Sequence, residues 1–382
     1  FFKKLNYSLK KVILLSPSFL EKWNMLLQKY IKPISESTDQ NEYYRLLKLM
    51  SGELNSSHIY FDLSEKIWSR WKPNHGWKSQ TIHLGLLFDY NYEGQGIRIS
   101  KVLPDGPCNH PKTRAYSKEV IKSINGKSIA SFKDLSSHLN QHIEREVELE
   151  ISDPNEVIRT ISIKPINYTN ARELIQNDRL EKNKVFVEKN SEHRIGYLHV
   201  SRMNWENLEK FETELFSTGY NKEGLIIDVR NNLGGFTADR MLEMLIRPIH
   251  SYTIPRNGSK SYPIGYLGKY YWDKPIVVLC NQNTASNGEI FCHAIKQLKR
   301  GKLVGVTTSG SVISVYTNEK FLDVGSMSIP FRSWFKISDN KNMELNGAVP
   351  DYVEWNKPGE IPSGKDRQLE KALEVIIKET RK

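Results

Sequence analysis

Cysteine is scarce in this chain: three residues in 382, Cys108, Cys280 and Cys292, with no Cys-x-x-Cys pair. That pattern supports neither a zinc site nor a disulfide framework. Cys280 closes an apolar run and Cys292 falls in a helical pattern, the placement of small core residues. Long apolar runs are missing too, and none reaches the roughly 20 residues that a membrane-spanning helix needs. Val12-Ile-Leu-Leu15 is too short for the core of a signal peptide, and no cleavage pattern follows. The chain begins with Phe1 rather than Met, as a processed form or a fragment does, so cytoplasm and periplasm both stay open. Nucleic-acid signatures are absent as well. Lys and Arg total 55 against 44 Asp and Glu, a net charge of +11. The two signs alternate, however, and no RRM, zinc-finger or arginine-rich pattern occurs. The excess reads as a solvated Lys-rich surface.

What is present is enough chain for two or three cores, with 38% hydrophobic residues and 10% aromatics. Residues 1–56 read as helical. Phe19, Trp23, Leu26, Leu27 and Tyr30 follow a 3.6-residue period, and a second amphipathic helix begins at Tyr43. It runs into the polar turn Gly52-Glu-Leu-Asn-Ser56-Ser57-His58, just before an alternating segment. A lone histidine in a turn is ordinarily a solvated surface residue, so His58 needs partners to count. From Ile82 to about Pro165 the texture changes to short strands and turns. Asn125-Gly126 is a strong hairpin signal, and a helix is expected over Phe132–His142. From about residue 168 strands and helices alternate, the pattern of an α/β core.

Two junctions in that core stand out. The apolar run from Gly224 to Asp228 ends in Asn231-Asn232-Leu233-Gly234-Gly235-Phe236, where paired glycines permit close backbone approach and free N–H donors. A phosphate cradle is the rival reading, but neither G-x-G-x-x-G nor G-x-x-x-x-G-K-[ST] occurs. The second junction is Pro275–Cys280, a strand, followed by Asn281-Gln-Asn-Thr-Ala-Ser286-Asn287-Gly-Glu289 and a helical pattern. A serine there can sit at a helix N-terminus, which favours developing negative charge. Ser286-x-x-Glu289 is equally a capping box, which needs no chemistry.

Together, the Asp228–Phe236 segment, the strand–Ser286–helix element some fifty residues later and the PDZ-like insert ahead of both resemble the tail-specific serine proteases, peptidase family S41. Gly52-Glu-Leu-Asn-Ser-Ser57-His58, Glu344-Leu-Asn-Gly-Ala-Val-Pro-Asp351 and Gly364-Lys-Asp-Arg-Gln-Leu369 are similar to elements of its tricorn branch. The resemblance spans roughly residues 20–380. It implies a multi-domain α/β protein: an N-terminal helical segment (1–80), a PDZ-like β-domain (81–167) and a ClpP/crotonase-like α/β catalytic core (168–382). It also implies serine endopeptidase activity on peptides or unfolded protein, with no metal or cofactor, no nucleic-acid partner and no stable membrane insertion.

On that resemblance Ser286 is the nucleophile and His58 the general base, with Ser57 bridging His58 to Glu344 and a direct His58–Ser286 contact expected. The backbone N–H groups of Gly235 and Asn287 form the oxyanion hole. Asn287 stands where tricorn proteins usually have Asp. Gly234 and Thr253 line the substrate site, and Leu84-Gly85 take the place of the carboxylate-binding loop. Thr253 stands at the position of the acidic residue that selects basic side chains, so an apolar or broad preference is expected. The processing proteases of the family use a lysine in Thr-x-Gly-Lys. Here the turn is Thr308-Ser-Gly-Ser311, leaving Lys336 as an alternative base. His293 lies seven residues along the same helix, about 10 Å from Ser286 along its axis. The family resemblance implies hexamers, and no β-propeller pattern accompanies it in these residues. The rival reading is a catalytically silent peptide-binding scaffold of the same fold.

Overall fold

The computed structural model describes residues 17–63, 82–140, 142, 145–246, 271–321 and 325–381. Its contacts divide the chain into two compact units, Phe1–Lys72 with Phe186–Lys382 and Pro73–Val185. The first unit opens with two helices, α1 (Pro17–Glu36) and α2 (Gln40–Glu53). Trp23, Leu26, Tyr30 and Ile34 recur at helical spacing along α1 and are buried with Leu47, Met50 and Leu54. Asp39 caps α2 by accepting from the Asn41 N–H at 3.0 Å, satisfying a donor that the helix start leaves unpaired. The same apolar cluster takes in Phe61 and Met327. These two are register partners where β1 (Phe61–Leu63) pairs antiparallel with a later hairpin strand. The N-terminal helices therefore share a unit with residues 186–382, whereas the sequence suggested three separate regions.

The second unit is built on strands β2 (Ile82–His83), β3 (Leu86–Phe88), β4 (Ile97–Val102), β5 (Val120–Ile124), β6 (Lys127–Ser128), β7 (Val147–Ser152), β8 (Ile158–Ile163) and β9 (Ile166–Asn167). β3 to β8 form an antiparallel sheet in the order β3-β4-β5-β7-β8, with β6 hairpinned to β5. Asn125 and Gly126 turn that hairpin with φ of 49° and 72°, as a two-residue hairpin loop requires. Helix α3 (Phe132–Leu139) starts at a Ser131–Asp134 capping box. It ends three residues short of the expected His142, whose N–H closes a separate turn on Leu139 at 2.8 Å. A 23-residue helix, α4 (Tyr168–Asn190), leads into the rest of the chain.

Back in the first unit, β10 (Ile195–His199), β11 (Gly224–Asp228), β12 (Ile276–Cys280), β13 (Lys302–Gly305) and, after the hairpin β14 (Ile313–Phe321) and β15 (Gly325–Ser333), β16 (Tyr352–Val353) form the main sheet. All its pairings are parallel, in the order β10-β11-β12-β13-β16. Helices α5 (Trp205–Ser217), α6 (Ala238–Leu245), α7 (Asn287–Gln297) and α8 (Arg367–Glu379) complete it. β11 and β12 are buried at every position, as expected of a parallel sheet covered on both faces. Leu225, Ile227, Val278 and Cys280 join the core with α5, α6 and α7. The alternate residues Ile226, Val277 and Leu279 are also buried and belong to the opposite face, where α8 packs on β11, β12 and β13. Because every strand runs the same way, the loops after β10, β11, β12 and β13 emerge side by side at one edge. That edge is where open parallel sheets place their sites. No described helix is long and apolar enough to cross a membrane.

Candidate active site

The loops after β11 and β12 are stitched together by short polar side chains. The Asn231 N–H donates to Asn281 Oδ1 at 2.9 Å, and Asn281 and Asn283 each return an Nδ2 bond to Asn231 Oδ1 at 3.0 Å. Asn232 is fully buried. Its Nδ2 donates to the Val200 carbonyl and its Oδ1 accepts from the Gly234 N–H, both at 2.8 Å, while its own carbonyl accepts from the Ala285 N–H. The approach is so close that a Cβ on Gly234 would lie 2.6 Å from Ser286 Cβ and 2.8 Å from the Asn287 nitrogen. Only glycine fits there, and its φ of 91° adds a backbone reason for it.

Ser286 begins α7 at φ 52°, ψ −124°, a region that L-residues occupy at a cost of about 1–3 kcal/mol and that concentrates at functional turns. Glu289 does more than cap. Fully buried, its carboxylate accepts from the Ser286 N–H at 3.3 Å. It also accepts from Thr308 Oγ1, Ser309 Oγ and the N–H groups of Gly310 and Ser311 at 2.5–3.0 Å. The Thr308-Ser-Gly-Ser311 turn is thus clamped onto the serine's helix. Among the described residues, neither the Gly235 nor the Asn287 N–H donates to any group, whereas the Gly234 N–H is taken by Asn232. The Asn287 Oδ1 accepts from the Ala238 N–H at 2.8 Å, holding the start of α6, and with it the Gly235 turn, against α7.

Glu344 forms the other half. It is nearly buried and accepts from the Ser57 N–H at 2.7 Å, from Ser57 Oγ at 3.0 Å and from the Val312 N–H at 2.8 Å. Ser57 Oγ lies 2.6 Å from His58 Nδ1. Since that hydroxyl spends its proton on Glu344, its oxygen accepts from Nδ1–H, which leaves the His58 Nε2 lone pair available. One peptide group joins the halves: the Ser311 carbonyl accepts from the Ser286 N–H at 3.0 Å, and the Val312 N–H of the same peptide binds Glu344. Ser286 N and the Glu344 carboxylate are therefore no more than about 8 Å apart, given standard peptide dimensions. The expected direct contact is not made. No hydrogen bond joins His58 to Ser286 among the described residues, as is common before substrate tightens a site.

Lys336 pairs with Asp339 at 2.7 Å. His293 is buried, and burial, with the Lys336 and Lys296 charges, pushes its imidazole down to about 4. Thr253 lies outside the described residues. In the other unit, the Gly85 N–H donates to His83 Nδ1 at 2.9 Å, so one expected carboxylate donor of the Leu84-Gly85 turn is already occupied. Sequence reasoning missed Asn232 and the clamping role of Glu289. The i,i+3 spacing to Ser286 flagged Glu289 only as a cap, and nothing local showed which turn would return to it.

Residues 194–354 match the model of Peptidase family S41. The chain is 26% identical over 375 residues to the tricorn protease homolog of Saccharolobus solfataricus, covering 94% of this chain and 33% of that one. It is also 26% identical over 374 residues to the tricorn protease of Thermoplasma volcanium, covering 94% and 34%. In fold it is similar to a crystal structure of the tricorn protease, with a TM-score of 0.72 at 23% identity over 96% of this chain and 36% of that one. It spans about a third of the length of these relatives. Through residues 194–354 the chain is similar to Peptidase family S41, and over most of its length it is similar to the tricorn proteases of that group.

Proposed function

We propose that the chain is a serine endopeptidase that hydrolyses peptides or unfolded protein through an acyl-enzyme. Ser286 Oγ attacks the scissile carbonyl while His58 Nε2 takes its proton. The oxyanion accepts from the Gly235 and Asn287 N–H groups, and His58 then delivers the proton to the leaving amine. Water repeats the sequence on the ester and restores the serine. The observation that carries this reading is the Glu344–Ser57–His58 hydrogen-bonded chain, which fixes the histidine tautomer a base needs. Two unengaged N–H donors beside a strained serine support it, since such donors are worth about 3 kcal/mol each to a developing oxyanion. The PDZ-like reading of residues 81–167 and a hexameric assembly are proposals that go with it, the latter measurable by light scattering.

Treatment with a fluorophosphonate probe, followed by mass-spectrometric mapping, is expected to label Ser286. Ser286→Ala removes both the label and hydrolysis of a fluorogenic peptide library, and His58→Ala does nearly the same with the fold intact. The silent-scaffold reading draws on the missing His58–Ser286 bond, and it wins if wild-type protein neither labels nor hydrolyses.

A further inference from the structure

Beside the Gly235 turn lies an exposed aromatic pair that the proposed mechanism does not use. Trp205 starts α5 and Phe236 follows Gly235, and they are 58% and 62% exposed. Their rings pack edge to face with centroids 5.5 Å apart. Backbone ties the turn that carries Phe236 to the loop that leads into Trp205, because the Met203 N–H donates to the Gly234 carbonyl at 2.9 Å and the Phe236 N–H to the Met203 carbonyl at 2.7 Å. Two large aromatic rings in contact and left in water form an exposed apolar patch, with surface to bury against an apolar ligand group.

Strand order says which part of a substrate would meet them. Along the edge of the sheet come the β10 loop with Trp205, the β11 loop with Gly235 and Phe236, the β12 loop with Ser286, and the β13 loop with Val312. Val312 binds Glu344, which holds Ser57 and His58. His58 and the aromatic pair therefore flank Ser286 on opposite sides. The group that protonates the leaving amine stands on the leaving-group side of the scissile carbon, so the acyl portion runs the other way, over Gly235 toward Phe236 and Trp205.

We propose that Trp205 and Phe236 form the subsite for the side chain on the acyl side of the scissile bond, and that it takes aromatic or long aliphatic residues. This rests on the peptidase reading. Leu233 of the same turn is also exposed, the exposed Glu206 follows Trp205 on α5, and among the described residues no carboxylate is hydrogen-bonded into the Gly234–Phe236 segment.

The test uses the full chain and N-acetyl tetrapeptide fluorogenic amides carrying Phe, Leu, Ala, Lys or Asp at the acyl-side position. Wild-type protein is expected to prefer Phe and Leu. In the Trp205→Ala/Phe236→Ala variant the Phe-to-Ala ratio of kcat/KM falls about 10–100-fold, and the ratio, rather than either absolute rate, is the readout. Phe236→Leu keeps most of the preference. An unchanged ratio, or a wild-type preference for Lys or Asp, overturns the subsite but leaves the peptidase reading standing. If wild type neither labels nor cuts, the peptidase reading falls, and calorimetric binding to Ser286→Ala decides the subsite alone. Peptides ending in Phe must bind tighter than those ending in Asp, and the difference must vanish in the double variant.

Discussion

Each carboxylate oxygen of Glu344 is engaged by a donor: Oε1 by the Ser57 N–H, Oε2 by Ser57 Oγ and the Val312 N–H. A glutamine at this position has one oxygen and one NH2, so in either orientation an N–H faces a donor. Glu344→Gln is expected to lower kcat about 100-fold with KM little changed, since it disturbs the orientation of His58 and not the binding of substrate. Steady-state kinetics on the preferred peptide checks this; a raised KM at constant kcat would count against the relay. Gly235 is tested differently. Its φ is 146°, and a Cβ there would lie 2.0 Å from the Met203 carbonyl oxygen, so Gly235→Ala must move the turn. Loss of one aligned oxyanion donor is worth about 10²–10³ in kcat, and Ser286 should still react slowly with the fluorophosphonate.

At the scale of elements, helix α7 carries the serine at one end and a buried histidine further along. His293 Nε2 has no partner among the described residues. Burial and then the Lys336 charge push its pKa down, with Lys296 adding to them, while the Asn346 backbone and Asp339 oppose them, and the result is about 4. Between about pH 6.5 and 4 the unfolded chain binds a proton here that the folded chain refuses, so this residue makes stability fall as pH is lowered through that window. Urea unfolding at several pH values should show His293→Gln with a shallower slope than wild type over that range. Equal slopes would refute it. Much of α7 and its strand was legible, because Ile276–Cys280 is an unbroken apolar run and Ile290, Phe291 and Ile295 recur at helical spacing. The end of α3 was misplaced because the turn at His142 imitates one more helical repeat. What the sequence could not show was the Ser311–Val312 peptide joining the two halves of the site. That link depends on β13 lying next to β12, and strand order is a long-range property. The pairing of Ser57 with Glu344 came from resemblance alone, since nothing within 287 positions of chain reports it locally.

At the scale of the whole molecule, one buried ion pair links the sheet to the end of the chain and to the site. Arg230 binds Asp228 bidentately, with Nη2 to Oδ2 at 2.6 Å and Nε to Oδ1 at 3.0 Å, and reaches Asp366, the cap of α8, at 2.8 Å. Tyr197 from β10 donates to the same carboxylate at 2.7 Å. The next residue, Asn231, opens the turn that carries Gly235, so β10, β11, α8 and the candidate oxyanion loop depend on one charge cluster. Burial pushes the Asp228 carboxyl up, but the Arg230 guanidinium more than offsets this and holds it at about 2. A carboxyl depressed below its unfolded value of about 3.9 contributes stability that is complete above that value and is lost as pH falls toward 2. Asp228→Asn leaves Arg230 buried with one partner fewer, which typically costs about 3–5 kcal/mol. Urea unfolding followed by tryptophan fluorescence should show that deficit at pH 7, nearly the same deficit at pH 5, and a smaller one at pH 3, where wild type begins to lose the contribution too. Fluorophosphonate labelling of Ser286 should disappear along the same transition, because His58, Gly235, Ser286 and Glu344 reach the site only through the folded unit that this cluster ties together. A deficit independent of pH would show that the pair fills space without its charge contributing.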